Sequence, residues 1–301
     1  MKQKILLMSL CALSMYVSGC SDSGPDADTG VHGLVPVSFS LSFSGMRGPE
    51  TRSLAPGYSF ADGSSVSVLK CYLYNTADEG PSVPSKVVDI AVKTVDGRPC
   101  GDFTVMLPKG QSYDAVFLGT SIPQDNPYSK LYYSQTDRTL SFNYDDVYAN
   151  DEELDCFWGV CTSVTAENAS VVDVTLDRPF AQLNIGTQDY EAYVKSKPVS
   201  GIAVSVDGVY RKMRLMDGSL ESPSSSVTFK ASPVPGGQTF PVDGFSYLSM
   251  NYLLVDQRAL VDVSLTIRHS DSSSRDVSLG DVAVERNYQT NVYGSSILSG
   301  N

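Results

Sequence analysis

Histidine is almost missing from this chain: two residues in 301, alongside a single tryptophan. That scarcity excludes His-rich metal centres and leaves little material for histidine-dependent proton transfer. Basic residues are few as well, 22 Lys and Arg against 34 Asp and Glu, for a formal net charge of −12. A nucleic-acid partner needs clustered Lys and Arg to neutralise phosphates, so none is expected. After the first twenty residues no apolar run reaches 18, so nothing further along looks built to span a membrane as a helix. Nucleophile elbows of the Gly-x-Ser-x-Gly type, phosphate-binding glycine loops and EF-hand spacings are missing too. Cys156 and Cys161 have no second pair at zinc-ligand spacing. The chain is therefore read as a non-enzyme with no cofactor and no metal.

What is present begins with an address. Lys2 and Lys4 are followed by 13 residues, Ile5 to Val17, forming one apolar stretch, and then by Ser18-Gly19-Cys20. This is the layout of a secretory signal peptide over residues 1–19, too short to span and ending in small residues. The run Val17-Ser18-Gly19-Cys20 resembles a bacterial lipobox, which makes Cys20 the expected lipidation site. Residues 20–33 are polar, acidic and rich in Gly and Pro, as a solvated tether should be. Removal of residues 1–19 takes away two lysines and no acid, so the mature net charge is −14. A multiply acylated N-terminus would hold such a protein stably on a membrane. Of the six cysteines, Cys11 leaves with the signal peptide, and Cys71, Cys100, Cys156 and Cys161 remain. An exported protein permits disulfides among them, in any of three pairings. Cys71, inside the apolar run SVSVLKCYLYN, reads equally well as a buried free thiol.

The dominant hydrophobic period along the mature chain is two. In LVPVSFSLSF, Val35, Val37, Phe39, Leu41 and Phe43 fall on one face. Comparable segments recur at Val66–Tyr74, Tyr113–Leu118, Ala181–Ile185, Val199–Val206, Val209–Leu215, Tyr247–Val255 and Leu260–Ile267. Gly, Pro and Asp turns separate them, and VSVDGVYRKMRL around Asp207-Gly208 is the clearest expected hairpin. Helix is scarce. Gln188–Lys197 is the best candidate, stopped by Pro198, and Tyr144–Leu154 has room for a turn or two. With 42% hydrophobic and 19% charged residues, the composition is that of a folded chain with real cores. The expected fold is all-β: two tandem β-sandwiches, residues 34–177 and 178–301, each long enough for its own core.

Few residues suggest chemistry. His32 lies in the tether. His269 sits in Arg268-His269-Ser270-Asp271-Ser272 and is expected as a solvated side chain at a hairpin tip, not as part of a catalytic triad. Asp145, Asp146, Asp151, Glu152, Glu153 and Asp155 form the densest acidic cluster, with Tyr144, Tyr148 and Trp158 close in sequence. Hard cations want carboxylates and sugars stack on aromatics, but an acidic solvated loop is the expectation. Residues 44–63 say more. They are rich in Gly and Pro and carry Arg47 and Arg52, and loops of this kind are preferred sites of proteolytic nicking. A cut there would separate Leu34–Phe43 from the rest of its sandwich. A sandwich that loses a strand exposes an apolar groove and unpaired backbone groups, which a strand from another chain can fill.

Three segments carry a family resemblance: Asp155-Cys156-Phe157-Trp158-Gly159-Val160, Asp177-Arg178-Pro179-Phe180-Ala181-Gln182-Leu183-Asn184, and Val284 to Gly294 (VERNYQTNVYG). With the lipobox ending at Cys20, the acidic tether and the arginine-bearing loop, the chain resembles the fimbrillins of Bacteroidetes, subunits of protease-assembled type V pili. The resemblance implies two transthyretin-like, Greek-key sandwiches and export as an outer-membrane lipoprotein exposed on the surface. It also implies polymerisation with other fimbrial subunits by strand exchange after cleavage at an arginine, in the service of adhesion to a host or bacterial surface ligand. Carried over by position, Cys20 matches the lipidated cysteine and Arg52 or Arg47 the cleaved arginine. Arg52 is preferred because Gly48-Pro49 stiffens the chain after Arg47. A lipoprotein that binds glycans or nutrients and never polymerises is the alternative, and a lipoprotein hydrolase ranks third.

Overall fold

The computed structural model describes residues 33–300, apart from 46–59, 79–82, 96–97, 124–125, 127–128 and 222–223. In chain order the strands of the first half are β1 (Leu34–Phe43), β2 (Val68–Asn75), β3 (Lys86–Ile90), β4 (Lys93–Val95), β5 (Arg98–Pro108), β6 (Ser112–Thr120), β7 (Leu131–Ser134), β8 (Thr139–Phe142), β9 (Phe157–Thr165) and β10 (Ser170–Leu176). Those of the second half are β11 (Ala181–Thr187), β12 (Val199–Val209), β13 (Lys212–Arg214), β14 (Leu220–Glu221), β15 (Ser225–Ser232), β16 (Ser246–Leu253), β17 (Arg258–His269), β18 (Ser274–Glu285) and β19 (Gln289–Gly294). Among the described residues one short α-helix, α1 (Tyr190–Ser196), ends just before Pro198, and a single 3-10 turn covers Glu152–Leu154. The fold is all-β, built of β-sandwiches, as the two-residue period predicts.

Strand β1 shows how pattern becomes position. Its odd-numbered residues Val35, Val37, Phe39, Leu41 and Phe43 are all buried, while Ser40 and Ser42 face solvent. It lies inside a four-stranded sheet ordered β10-β1-β5-β4. On one side it runs antiparallel to β5, with Phe39 opposite Phe103, and on the other parallel to β10, with Leu41 opposite Val174. The inward face meets a second sheet, β3-β2-β6-β9, and Phe39 packs on Phe103 and Phe117 at 5.1 and 5.4 Å between ring centres. Leu69, Cys71, Leu73, Ala115 and Phe117 complete this core from the second sheet.

That second sheet is apolar on both faces. Alternate residues Tyr72, Tyr74, Val116 and Leu118 enter a larger core shared with residues from β8, β11, β12, β16 and β17. Near-continuous apolar runs such as VLKCYLY are what a sheet covered on both sides requires. The larger core lies among sheets ordered β16-β11-β19 and β15-β12-β17-β18 and a small sheet β14-β13-β8-β7. The small sheet takes strands from both sides of Asp177, with Met213 of β13 paired to Leu140 of β8.

The expected hairpin at Asp207-Gly208 is not there. Both residues lie inside β12, where Gly208, at φ +96, marks a bulge against β15 between Val206 and Val209. The chain then leaves this sheet, and β13 pairs with β8 and β14 instead. Positive φ at glycine serves a bulge as well as a turn, so the dipeptide alone does not distinguish them. The tight turn sits one step later, at Asp217-Gly218, between β13 and β14.

Candidate functional site

Where β1 ends, the chain builds a polar centre inside an apolar surround. Arg178, between β10 and β11, is 1% exposed, and Asp155, just before β9, is 0% exposed. Their contact is a two-pronged ion pair: Nε donates to Oδ1 at 2.6 Å and Nη2 to Oδ2 at 3.0 Å. The guanidinium also lies over the Phe157 ring, 4.1 Å from its centre. Its remaining donors go to backbone: Nη2 to the Ala61 carbonyl at 2.7 Å and Nη1 to the Ser44 carbonyl at 3.3 Å. Burial disfavours the charge on Arg178, but the Asp155 charge and hydrogen bonds outweigh it and hold the group above its ordinary pKa. A planar fork with five donors suits this bidentate-plus-backbone role, and lysine would not reproduce it.

Two further side chains complete the centre. Asn287, at φ +61 just before β19, donates from Nδ2 to Asp177 Oδ1 at 3.1 Å and to Ser44 Oγ at 3.2 Å, and its Oδ1 accepts from the Arg178 N–H at 3.4 Å. Asparagine tolerates this left-handed conformation better than most residues. Glu152 accepts from the Ala61 N–H at 3.3 Å and from the Tyr252 hydroxyl at 3.1 Å. Burial and the charge of Asp155 push the Glu152 carboxyl up to about 8, against the Ala61, Tyr252 and Arg178 contacts that favour its ionised form. The Tyr252 hydroxyl is raised in turn by burial, then by Asp155 and Glu152.

Ser44 and Ala61 are the described residues that flank the arginine-bearing segment most closely in this centre, and both carbonyls accept from one guanidinium. Cys20, Arg47 and Arg52 themselves lie outside the described residues. The three segments that carry the family resemblance meet here through Asp155, Arg178 and Asn287. Sequence reasoning treated them as separate structural motifs. An acid partner for Arg178 was foreseeable, but its identity, 23 positions upstream, was not.

The acidic stretch is solvated only in part: Asp145, Asp146 and Glu153 are exposed as expected, whereas Asp151 and Glu152 are partly and Asp155 fully buried. Asp145 pairs with Arg211 at 2.9 Å, and Asp146 contacts Lys230 and, at 3.9 Å, Lys130. Asp151 caps the 3-10 turn by accepting from the Glu153 N–H, while Glu152 and Asp155 serve the centre just described. Tyr144 is buried, and its hydroxyl accepts from the Leu254 N–H at 2.9 Å. Five of the six acids, Glu153 being the exception, thus pair with cations or hydrogen-bond donors of the chain itself. Among the described residues no three His, Cys, Asp or Glu side chains converge as a metal site.

His269 also departs from expectation. It stands at the base of the β17–β18 hairpin, as expected, but it is 3% exposed and not solvated, because as the last residue of β17 it still pairs with Val199. Its Nε2 lies 3.0 Å from the Tyr193 hydroxyl, and Nδ1 lies 3.2 Å from both the carbonyl and the hydroxyl of Ser273. Asp271 accepts from Ser273 and not from His269. Nucleophile activation needs a carboxylate orienting the histidine, whereas here the acid closes a turn. Cys71, Cys100, Cys156 and Cys161 are all free thiols.

The fold and this centre define an all-β protein whose N-terminal strand is bound into a sheet from both sides and fastened at its end by a buried arginine. The chain belongs to a family of unknown function, DUF6562, whose family model matches residues 33–299. Among solved structures, a fimbrial assembly protein from Parabacteroides distasonis is similar at 10% identity and TM-score 0.47, over 88% of this chain and 93% of that one. The fimbrial anchor protein Mfa2 from Porphyromonas gingivalis is similar at 11% identity and TM-score 0.44, over 81% of this chain and 83% of that one. No curated protein matches the chain significantly.

Proposed function

We propose that this protein is a surface lipoprotein, anchored in the outer membrane through Cys20, that serves as a subunit or accessory subunit of an adhesive fimbria. In this reading residues 34–177 and 178–301 act as two sandwiches in series, joined through the β8–β13 pairing and the larger core that both halves share. Cleavage at Arg52, or at Arg47, lets the first strand be exchanged for a strand of another subunit. The observation that carries the proposal is the seat of β1. It is the first described strand, it lies between β5 and β10, and the arginine-bearing segment follows it directly. Its departure would leave an apolar groove with open backbone edges on both sides, the geometry that strand addition fills.

Energetics decide how such an exchange must run. Five inward side chains at roughly 1.5–3 kcal/mol each make bare loss of β1 cost about 10 kcal/mol, as much as a whole domain's stability. A cut alone therefore does not empty the groove, and the incoming strand must replace β1 as it leaves. The direct test is limited trypsin digestion of the folded mature protein, followed by intact mass and native gel. The expected result is a cut after Arg52, loss of the fragment that ends there, and a ladder of multimers. A trypsin-resistant chain, or a nicked chain that stays monomeric at high concentration, rules out strand exchange and leaves a solitary binding lipoprotein.

A further inference from the structure

The polar centre touches both ends of the described fold. Ser44 closes β1, and Asn287 opens β19, the last strand, 243 positions away. We infer that Ser44, Asn287 and Arg178 form a latch through which the hold on β19 depends on β1 being in place. The inference stands whether or not a partner ever displaces β1.

Strand β19 is otherwise weakly held. It is six residues long, pairs only with β11, and pairs in parallel. None of its side chains is fully buried, and Tyr293 is half exposed. Its side-chain match to β11 is poor. Gln182 stands opposite Gln289, yet both polar atoms of the buried Gln182 amide lack a hydrogen-bond partner, and so does Asn184 Oδ1. Two side-chain bonds join the strands: Asn184 Nδ2 donates to Asn291 Oδ1 at 2.9 Å, and at the far end Thr187 Oγ1 donates to the Gly294 carbonyl at 3.2 Å. Buried polar groups without partners cost free energy, so the Gln182 side chain adds nothing to the hold on β19.

The two ends of β19 are fastened differently. Beyond its C-terminal end, Asp189 accepts from the Ser299 N–H at 2.8 Å and from the Leu298 N–H at 3.4 Å, and Arg275 contacts the Leu298 carbonyl. None of these contacts involves β1. At the start of β19 two backbone bonds hold without β1, Asn287 N–H to the Phe180 carbonyl at 2.6 Å and Gln182 N–H to the Tyr288 carbonyl at 2.9 Å, and the Asn287 side chain adds bonds to Ser44, Asp177 and the Arg178 N–H. Removal of β1 takes away Ser44 Oγ from Asn287 and the Ser44 carbonyl from Arg178 together. The start of β19 is then left to its two backbone bonds while every tie beyond its far end stays, so its pairing with β11 frays first at the Gln182 end. An event at the N-terminal strand is thereby transmitted to the C-terminal one.

Amide hydrogen exchange of the folded mature chain tests this with two variants. Ser44→Ala deletes one hydroxyl at the end of β1, and Asn287→Gly keeps the positive φ while deleting the amide. The latch predicts that Ser44→Ala speeds exchange at the start of β19 about 5-fold, the size expected for one buried hydrogen bond. Exchange in β12 should stay unchanged. Asn287→Gly should raise exchange at both Phe43–Ser44 and the start of β19, and the double variant should add little to it, as members of one network do. If Ser44→Ala moves β1 alone, or raises exchange uniformly along the chain, the coupling is refuted. If Asn287→Gly leaves the end of β1 untouched, the coupling fails in the other direction.

Discussion

Glu152 offers a prediction with a defined sign. Its carboxyl titrates near 4.5 in the unfolded chain and is pushed up to about 8 in the fold, first by burial and then by Asp155. A group whose native pKa is raised stabilises the fold fully below its unfolded value and loses that contribution as pH rises through the native one. The window is therefore about pH 4.5 to 8, and stability should fall across it. A displacement of this size corresponds to at most ~5 kcal/mol. Glu152 is only partly buried, so solvent screening reduces the usable part to about 2 kcal/mol. Glu152→Gln removes the titration and keeps the geometry: its carbonyl oxygen can accept from the Ala61 N–H and its amide can donate to the Tyr252 hydroxyl. Denaturant melts of wild type and variant at pH 5, 7 and 9 give the comparison. The variant should gain about 2 kcal/mol on wild type between pH 5 and 9, or roughly 4–8 °C in melting temperature for a chain of this size. Curves that run parallel within ~0.5 kcal/mol over that range would refute the raised carboxyl and its cause.

Arg178→Ala leaves Asp155 buried without its counter-ion and should cost about 3–5 kcal/mol in a denaturant melt, whereas Arg178→Met combined with Asp155→Leu should cost clearly less. Gly186→Ala would place a Cβ 2.6 Å from the Phe240 ring, and the overpacking should cost about 1–3 kcal/mol by the same measurement. Burial, then the nearby Cys161, push the Cys71 thiol up, and burial together with Asp155 does the same to Cys156. A thiol reagent at neutral pH should therefore modify Cys100 first and reach Cys71 and Cys156 only on unfolding. Metabolic labelling with a fatty-acid analogue should mark the wild-type protein, and Cys20→Ser should abolish the label.

The sequence read best where one face of a strand is apolar and the other polar. LVPVSFSLSF could adopt no other register, and it forms β1 over the expected residues. The helix before Pro198 was legible for the same reason, since proline ends what the preceding pattern begins. Features set by distant partners were not readable. Asp155, Arg178 and Asn287 meet only because β9, β10, β11 and β19 are brought together, and local sequence says nothing of that. The hairpin at His269 was legible from its polar neighbours, but its burial was not, because Tyr193 of α1 covers the ring and supplies its partner. Asp207-Gly208 misled because a bulge and a turn ask the same of glycine. In the acidic stretch the solvated acids were legible but the buried Asp155 was not, because its counter-ion Arg178 is brought to it only by the fold.

The seat of β1 also sets a timetable. In the growing chain β1 precedes both partners: it finds the antiparallel one only when Arg98–Pro108 has followed, and the parallel one only with Ser170–Leu176. Loop closures of this length make such a sheet slow to complete. Until then an apolar strand waits with both edges open, the state most prone to pair with the wrong chain. Ser38, Ser40 and Ser42 on the outer face, together with Pro36, which lacks a backbone N–H, keep the waiting strand from becoming an uninterrupted sticky ribbon. Handling of the nascent chain, as much as the finished fold, thus bears on which strand ends up beside which.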